Sequence, residues 1–245
     1  MHLTTTHGRT AFRFGATAAG LLLLVTLGFA GLAQAQSKNL APGFSTLPKG
    51  SLVVIMPTDI ELFSISAGGV IEPKADWTEA ASRHFKVALI AKKQALGLTT
   101  TELSEQDADE LAEISTLHAA VARAISLHHF GISSFNLPTK EGKLDWSLGE
   151  VVRAIKQKTG ANYAIFTWVR DSYASGERVA TMVVLALLGI GVGGGTQLGY
   201  ASLVDLDTGQ VLWFNRLLRS SGDLREAGKA GETMNALLDS FPIAK

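Results

Sequence analysis

Apolar positions along this chain fall into two rhythms that alternate in blocks. Ser51 to Met56 is a continuous, β-branched-rich apolar run halted by Pro57, the pattern of a buried strand. Ile60, Leu62 and Ser64 then alternate with Glu61 and Phe63, which predicts a second short strand ending at Gly68-Gly69. From Asp76 the period changes to that of a helix. Trp77, Ala81, Phe85, Ala88 and Leu89 share a face up to Gly97, and Asp76 with Glu79 has the spacing of a capping box, so a helix is predicted over 77–95. Ser104 and Asp107 open a second helical pattern, with Leu111, Ile114, Leu117, Val121 and Ile125 on one side and Gly131 as its stop. A third helix is predicted from Ser147 to Lys158, ending at Gly160.

Strand rhythm returns with Ala164 to Val169 and Tyr200 to Leu206. The latter passes through Asp207-Thr208-Gly209 into Val211 to Leu218, which predicts a β-hairpin. Asp223 with Glu226 starts a last helix carrying Leu224, Ala227, Met234, Leu237 and Leu238 on its face, and Pro242 follows it. The order β, β, α, α, α, β, β, β, α predicts an α/β or α+β protein, a mixed sheet covered by helices.

Ahead of these blocks stands a different pattern. Arg9 and Arg13 precede an acid-free apolar run from Ala16 to Leu32, closed by Ala33-Gln34-Ala35, the layout of a cleaved secretory signal peptide over residues 1–35. An uncleaved anchor is the alternative, because the run nears the ~20 residues a spanning helix needs. Residues 36–50, with Pro42, Gly43, Pro48 and Gly50, read as a linker or extended arm, and 51–245 as one mixed α/β domain. The chain has no cysteine, so neither a disulfide nor an acylated cysteine is available after export, and packing alone must hold the fold. Its 22 basic and 22 acidic side chains balance, and losing Arg9 and Arg13 leaves a slight acidic excess. Nothing there attracts nucleic acid or anionic lipid over a distance.

Gly199-Tyr200-Ala201-Ser202-Leu203-Val204-Asp205-Leu206-Asp207-Thr208-Gly209-Gln210-Val211-Leu212-Trp213, preceded by Asn162-Tyr163-Ala164-Ile165-Phe166, resembles a strand-turn-strand of exported envelope proteins. These are the family of the curli-secretion channel lipoprotein and the amino-terminal domain of the Tol-system protein TolB. The resemblance covers residues 51–66 and 147–240 and implies an exported fold used for assembly and binding. Lipid anchoring does not carry over, for want of a cysteine, and no segment shows the alternation of a pore-forming hairpin over ~10 residues.

Among candidate chemistries, Val179 to Gly195 is an apolar, glycine-rich insertion without a charge. Gly189, Gly191 and Gly194 spell a dinucleotide fingerprint, but a strand follows where a phosphate-binding helix should begin, so no nucleotide or other cofactor is expected. The same run contains Val183, Val184, Leu185, Leu187, Leu188 and Ile190 as an interface or membrane segment; burial within the fold, or in an oligomer, is the competing reading. Asp207-Thr208-Gly209 matches an aspartic-protease triplet, yet no second copy occurs to share a proton, and Asp207 capping a tight turn with Gly209 at positive φ accounts for it. His84, His118, His128 and His129 lie on predicted helices without metal-ligand spacing, and no metal is expected. Asp59 with Glu61, Asp205 with Asp207, and Arg170 with Asp171 read as charged strand ends facing water, and Trp168, Tyr173, Trp213 and Phe214 as core or an aromatic face.

The function expected from these residues is non-catalytic: an exported envelope protein of the periplasm, or of the periplasmic face of the outer membrane, that binds other envelope proteins or itself. The rival is a membrane-inserting or pore-associated protein using 179–195. A third reading, a hydrolase, requires a cleft that gathers Asp59, Asp205 or a histidine.

Overall fold

A computed structural model describes residue 2 and residues 37–243; apart from His2, the segment read as a signal peptide lies outside the described residues. Seven strands among them form one mixed sheet. Strand β1 (Leu52–Ile55) and strand β2 (Asp59–Ile65) lie end to end along the same edge of the central strand, Tyr163–Ala174, and parallel to it. Val53 opposes Tyr163 and Asp59 opposes Trp168, so the β1–β2 side carries one extra residue, a bulge at Met56–Thr58. Pro57 cannot donate to a ladder, and the bulge places it where no donor is needed. Met56 N–H donates to Ile165 O at 3.0 Å, and the hydroxyls of Thr58 and Thr167 are 2.8 Å apart.

The short strand β3 (Ile71–Pro73) pairs antiparallel with β2, and β4 (Thr99–Glu102) parallel with β1. The central strand, β5, has β6 (Gln197–Asp205) antiparallel on its other edge, and β7 (Val211–Arg219) follows β6 through the predicted hairpin. Alternation along the strands sends successive residues to opposite faces. Val53, Leu62, Ile165, Val169, Leu203 and Trp213 pack on one face beneath α1 (Ala75–Ala95), which supplies Ala81, Phe85 and Leu89. The last helix joins that layer with Ala230, Met234 and Leu237. Val54, Ala164, Phe166, Val204 and Phe214 face the other layer. It is built from α2 (Glu105–Glu110), α3 (Ala112–His128) and α4 (Arg153–Thr159), with Ile114, Ile125 and Ile155 inward. The remaining helices are α5 (Gly176–Leu187), between β5 and β6, and the last, α6 (Ala227–Leu237). The predicted class, a mixed sheet covered by helices, is what forms.

Residues 39–41 extend the sheet beyond β7. Phe214 N–H donates to Asn39 O at 3.0 Å and Ala41 N–H to Leu212 O at 2.8 Å, while Asn39 Nδ2 donates to Phe214 O. Ala41 and Leu47 are buried in the layer of Trp213.

Local signals misled in four places. Lys74, not Asp76, occupies the N-cap of α1 and makes no side-chain cap, so the expected capping box does not form. The second helical pattern breaks at Leu111 into α2 and α3; Ser104 does cap α2, accepting from Asp107 N–H at 3.1 Å. The third helix starts late, as a 3-10 turn at Glu150–Val152 leading into α4, because Ser147 pairs with Gln210 and Leu148 N–H donates to Gly209 O at 2.8 Å. Asp223 serves Arg225 rather than a helix start, and α6 begins at Ala227. Strands β3 and β4, short and poor in buried side chains, carry no periodic signal strong enough to predict them.

Candidate functional site

Strand β5 runs five residues past the predicted end at Val169 and then leaves the sheet. Ser175 N–H donates to Ile65 O at 2.9 Å, and Ser175 Oγ accepts from Arg178 N–H at 3.2 Å, capping α5. At about 1.5 Å per residue the helix projects for roughly 18 Å. A glycine loop brings the chain back to β6, with Gly189 at φ +77° ending the helix. The base is pinned on both sides. Arg178 donates to Gly193 O at 3.1 Å and to Ser66 O at 3.3 Å, and Ala174 N–H donates to Gly194 O at 2.6 Å. Thr196 N–H donates to Ser172 Oγ at 2.9 Å. A Cβ on Gly195 would lie 1.9 Å from Ser172 O, so only glycine allows this closure.

These anchors are backbone groups and one guanidinium, and α5 buries none of its side chains fully. The reading that the fold itself covers this run is therefore corrected: Leu187 is 83 % exposed and Leu188 70 %. Val183, Val184 and Ile190 are exposed as well, and Leu185 is half-buried beside Met182 and Arg178. The turn between β2 and β3, which Arg178 touches, adds exposed Val70 and Ile71. Gly189, Gly191 and Gly194 follow a helix instead of preceding one, the reverse of the order that aims helix N–H groups at a pyrophosphate.

Beneath the base lies a polar chain that sequence reasoning missed. Asp171, only 2 % exposed, points inward instead of facing water. Tyr173 donates its hydroxyl proton to Asp171 and accepts from Leu224 N–H at 2.7 Å. Gln197 Nε2 donates to Asp171 Oδ2, and Gln197 Oε1 accepts from Arg219 Nε at 2.7 Å and Thr233 Oγ1 at 3.0 Å. Burial pushes the Asp171 carboxyl above the usual carboxylate range, against the donation from Tyr173 and Gln197. The Arg225 guanidinium, paired with Asp223 at 2.6 Å, stacks 3.9 Å from the Tyr173 ring centroid and 4.6 Å from that of Trp77. Every member has a partner, so the network clamps the root of α5. The available signal was the inward parity of Val169, Asp171 and Tyr173.

At the opposite end of β6, Asp205 rather than Asp207 caps the turn. Its Oδ1 accepts from the N–H groups of Asp207 and Thr208, each at 2.8 Å. Asp207 reaches Lys156 at 2.6 Å, and Gly209 sits at φ +73° against Gly149. Asp59 is ion-paired with Arg170 at 2.7 Å. The histidines are dispersed: His84 faces Leu224 O, His128 Phe135 O, His129 Lys38 O and His118 Ser202 Oγ. His128 and His129 line a cavity of about 100 Å³ with Lys38, Lys140 and Trp146 and without a carboxylate, and no three potential metal ligands gather among the described residues. Trp213 and Phe214 are core, whereas Trp168 and Tyr173 are half-buried.

The fold and this site define a three-layer α/β protein that presents an apolar helix and a glycine loop at one end of its sheet. No protein-family model matches the sequence, and no curated protein does. Among solved structures, similar chains include the LpoB C-terminal domain from Salmonella enterica, 13% identical over 74% of this chain and 88% of that one, with a TM-score of 0.29. PelC from Paraburkholderia phytofirmans, a dodecamer, is 13% identical over 82% and 96%, with a TM-score of 0.36. Lipoprotein GNA1162 from Neisseria meningitidis is 13% identical over 77% and 94%, with a TM-score of 0.33.

Proposed function

We propose that this chain is an exported envelope protein that works by binding, joining other envelope proteins or further copies of itself, and that α5 with its glycine loop is the contact surface. The observation that carries this reading is the exposure of Val183, Val184, Leu187, Leu188 and Ile190 on a helix whose root is held by hydrogen bonds and a clamped polar network. Exposing so much aliphatic surface in water is unfavourable by about 25 cal/mol per Å², and a partner that covers it recovers that energy. The apolar run at 16–32 supports export, and the hairpin at 199–213, with its likeness to the curli-channel and TolB-type proteins, supports a role in assembly. Such a role requires no catalytic group.

Sedimentation across a concentration series, with and without envelope extract, tests the proposal. The wild-type chain is expected to associate, and Leu187→Ser with Leu188→Ser to abolish association without altering the fold. A wild-type chain that stays monomeric throughout and retains nothing from the extract overturns it.

A second reading, insertion of α5 into one leaflet of a bilayer, is favoured by the absence of any charge from Val179 to Gly195. No helix among the described residues is long and apolar enough to cross a membrane, but roughly 18 Å matches about half of a ~30 Å hydrocarbon core. Retention in carbonate-washed membranes that depends on Leu187 and Leu188 would establish that reading in place of the first. The mature amino terminus, determined in the same fractions, separates this from anchoring by residues 16–32.

A further inference from the structure

Helix α3 covers only part of its face of the sheet. Beyond its last turns the strand register brings Trp168, Tyr200 and Arg216 side by side on that face, and in the next row Arg170, Leu198 and Leu218. Trp168, Tyr200, Arg216, Leu198 and Leu218, with Arg123, Ser126 and Leu127 of α3, line a trough of about 380 Å³. Its floor is rigid and aromatic, since the Trp168 and Tyr200 rings stack at 5.3 Å and 10° and Tyr200 stacks on Phe214. Its walls are aliphatic, with Leu218 61 % exposed and Leu127 and Leu198 also open to water.

The charges on this face are unequally matched. Arg170 is neutralised, 2.7 Å from Asp59 and 3.3 Å from Glu61, and lies over the Trp168 ring. Arg123 and Arg216 have no carboxylate partner among the described residues. Arg216 is oriented by a hydrogen bond to Ser126 O at 3.3 Å, which uses one of the five guanidinium donors. An aliphatic trough with two uncompensated guanidinium groups is complementary to a molecule that is apolar along its length and anionic at one end. The small apolar extent, three leucines, suits one such chain better than a protein surface, which buries about 800 Å² per partner.

We propose that this trough binds a single-chain amphiphilic anion, an aliphatic chain ending in a carboxylate. The chain lies along Leu127, Leu198 and Leu218 over Trp168, and the carboxylate is held by Arg123 and Arg216. This site is separate from the α5 surface and does not rest on the function proposed for it.

The test uses the full chain, as processed by its host, with 12-bromododecanoate kept below its micelle threshold, because bromine quenches a tryptophan it touches. Saturable one-to-one quenching is expected, and Trp168→Phe should remove most of it. The double variant Arg123→Gln, Arg216→Gln should bind at least about tenfold more weakly, roughly the loss of one charge-assisted contact. Leu187→Ser with Leu188→Ser should bind as the wild type does. On the wild-type chain alone, dodecanol should compete at least about tenfold less well than dodecanoate, a comparison independent of how any variant folds. The proposal is overturned by unsaturable quenching, by equal competition from the alcohol, by unchanged affinity in the arginine variant, or by loss of binding with the α5 variant. Binding only to phosphatidylglycerol vesicles, and not to monomeric dodecanoate, overturns it too.

Discussion

His118 Nε2 lies 2.6 Å from Ser202 Oγ, and the two side chains are buried between α3 and β6 with the imidazole stacked 4.0 Å from the Phe166 ring centroid. The pair joins a helix to a strand 84 residues further along the chain through one hydrogen bond in an apolar layer. Desolvation lowers the His118 pKa to about 3, so the folded ring is neutral.

Stability therefore depends on pH with a definite sign. The unfolded chain takes up a proton on His118 near pH 6.5, and the folded chain does not until about pH 3, so this contribution is complete above 6.5 and is lost as pH falls. Between pH 7.5 and 5 the loss attributable to His118 is about 2 kcal/mol. Urea unfolding at the two values, on the wild type and on His118→Gln, measures it as the difference between the two pH dependences. Equal dependences contradict the assignment.

Asp205 and Asp207 should separate sharply on truncation. Asp205→Ala removes the acceptor for two turn N–H groups and is expected to cost about 1–2 kcal/mol. Asp207→Ala removes a solvent-exposed ion pair with Lys156, worth less than about 1 kcal/mol. Chemical denaturation midpoints of the two variants rank them.

The segment at 39–47 should behave as part of the domain. Leu47→Ala is expected to cost about 2–3 kcal/mol, as for a buried leucine, and Asn39→Ala about 1 kcal/mol through the lost bond to Phe214 O. A chain starting at Ser51 should lose the antiparallel edge at 39–41 and fail to protect the amides of Phe214 and its neighbours from hydrogen exchange.

For α5 the expected pattern is reversed. Leu187→Ser and Leu188→Ser should leave the unfolding free energy of the monomer within about 0.5 kcal/mol, since both side chains stand in water. Gly195→Ala should destabilise the monomer by more, because its Cβ would overlap Ser172 O. Thermal unfolding of dilute protein distinguishes the two.

Much of this architecture was legible in the order of residues. The runs at 51–56, 60–64, 164–169, 200–206 and 211–218 each overlap a strand, and α1 occupies its expected stretch, whereas α6 starts later than its pattern predicts. Their periods, 2 and 3.6, are properties of the backbone and print directly onto apolar spacing. The Asp207–Gly209 hairpin was legible for the same reason, as a turn that demands glycine at positive φ. Capping was not, because Asp76, Asp207 and Asp223 had several equivalent local choices and the one taken depends on neighbours far away in sequence.

The candidate sites divide along the same line. That 179–195 is uncharged, aliphatic and glycine-rich is written in the chain, but the direction its leucines face follows from what lies beside them. Helix α5 is rooted at Ser172, Ser175, Arg178 and Gly194, so its side chains have no layer to enter. The inward turn of Asp171 depends on strand parity and on Gln197 and Tyr173 being there to satisfy it. The trough of Arg123 and Arg216 exists only because strand register sets β7 beside β6 and α3 stops short of its end. Periodicity is a local property that each segment carries alone, whereas exposure, charge pairing and cavities are relations between segments, settled only when the chain packs.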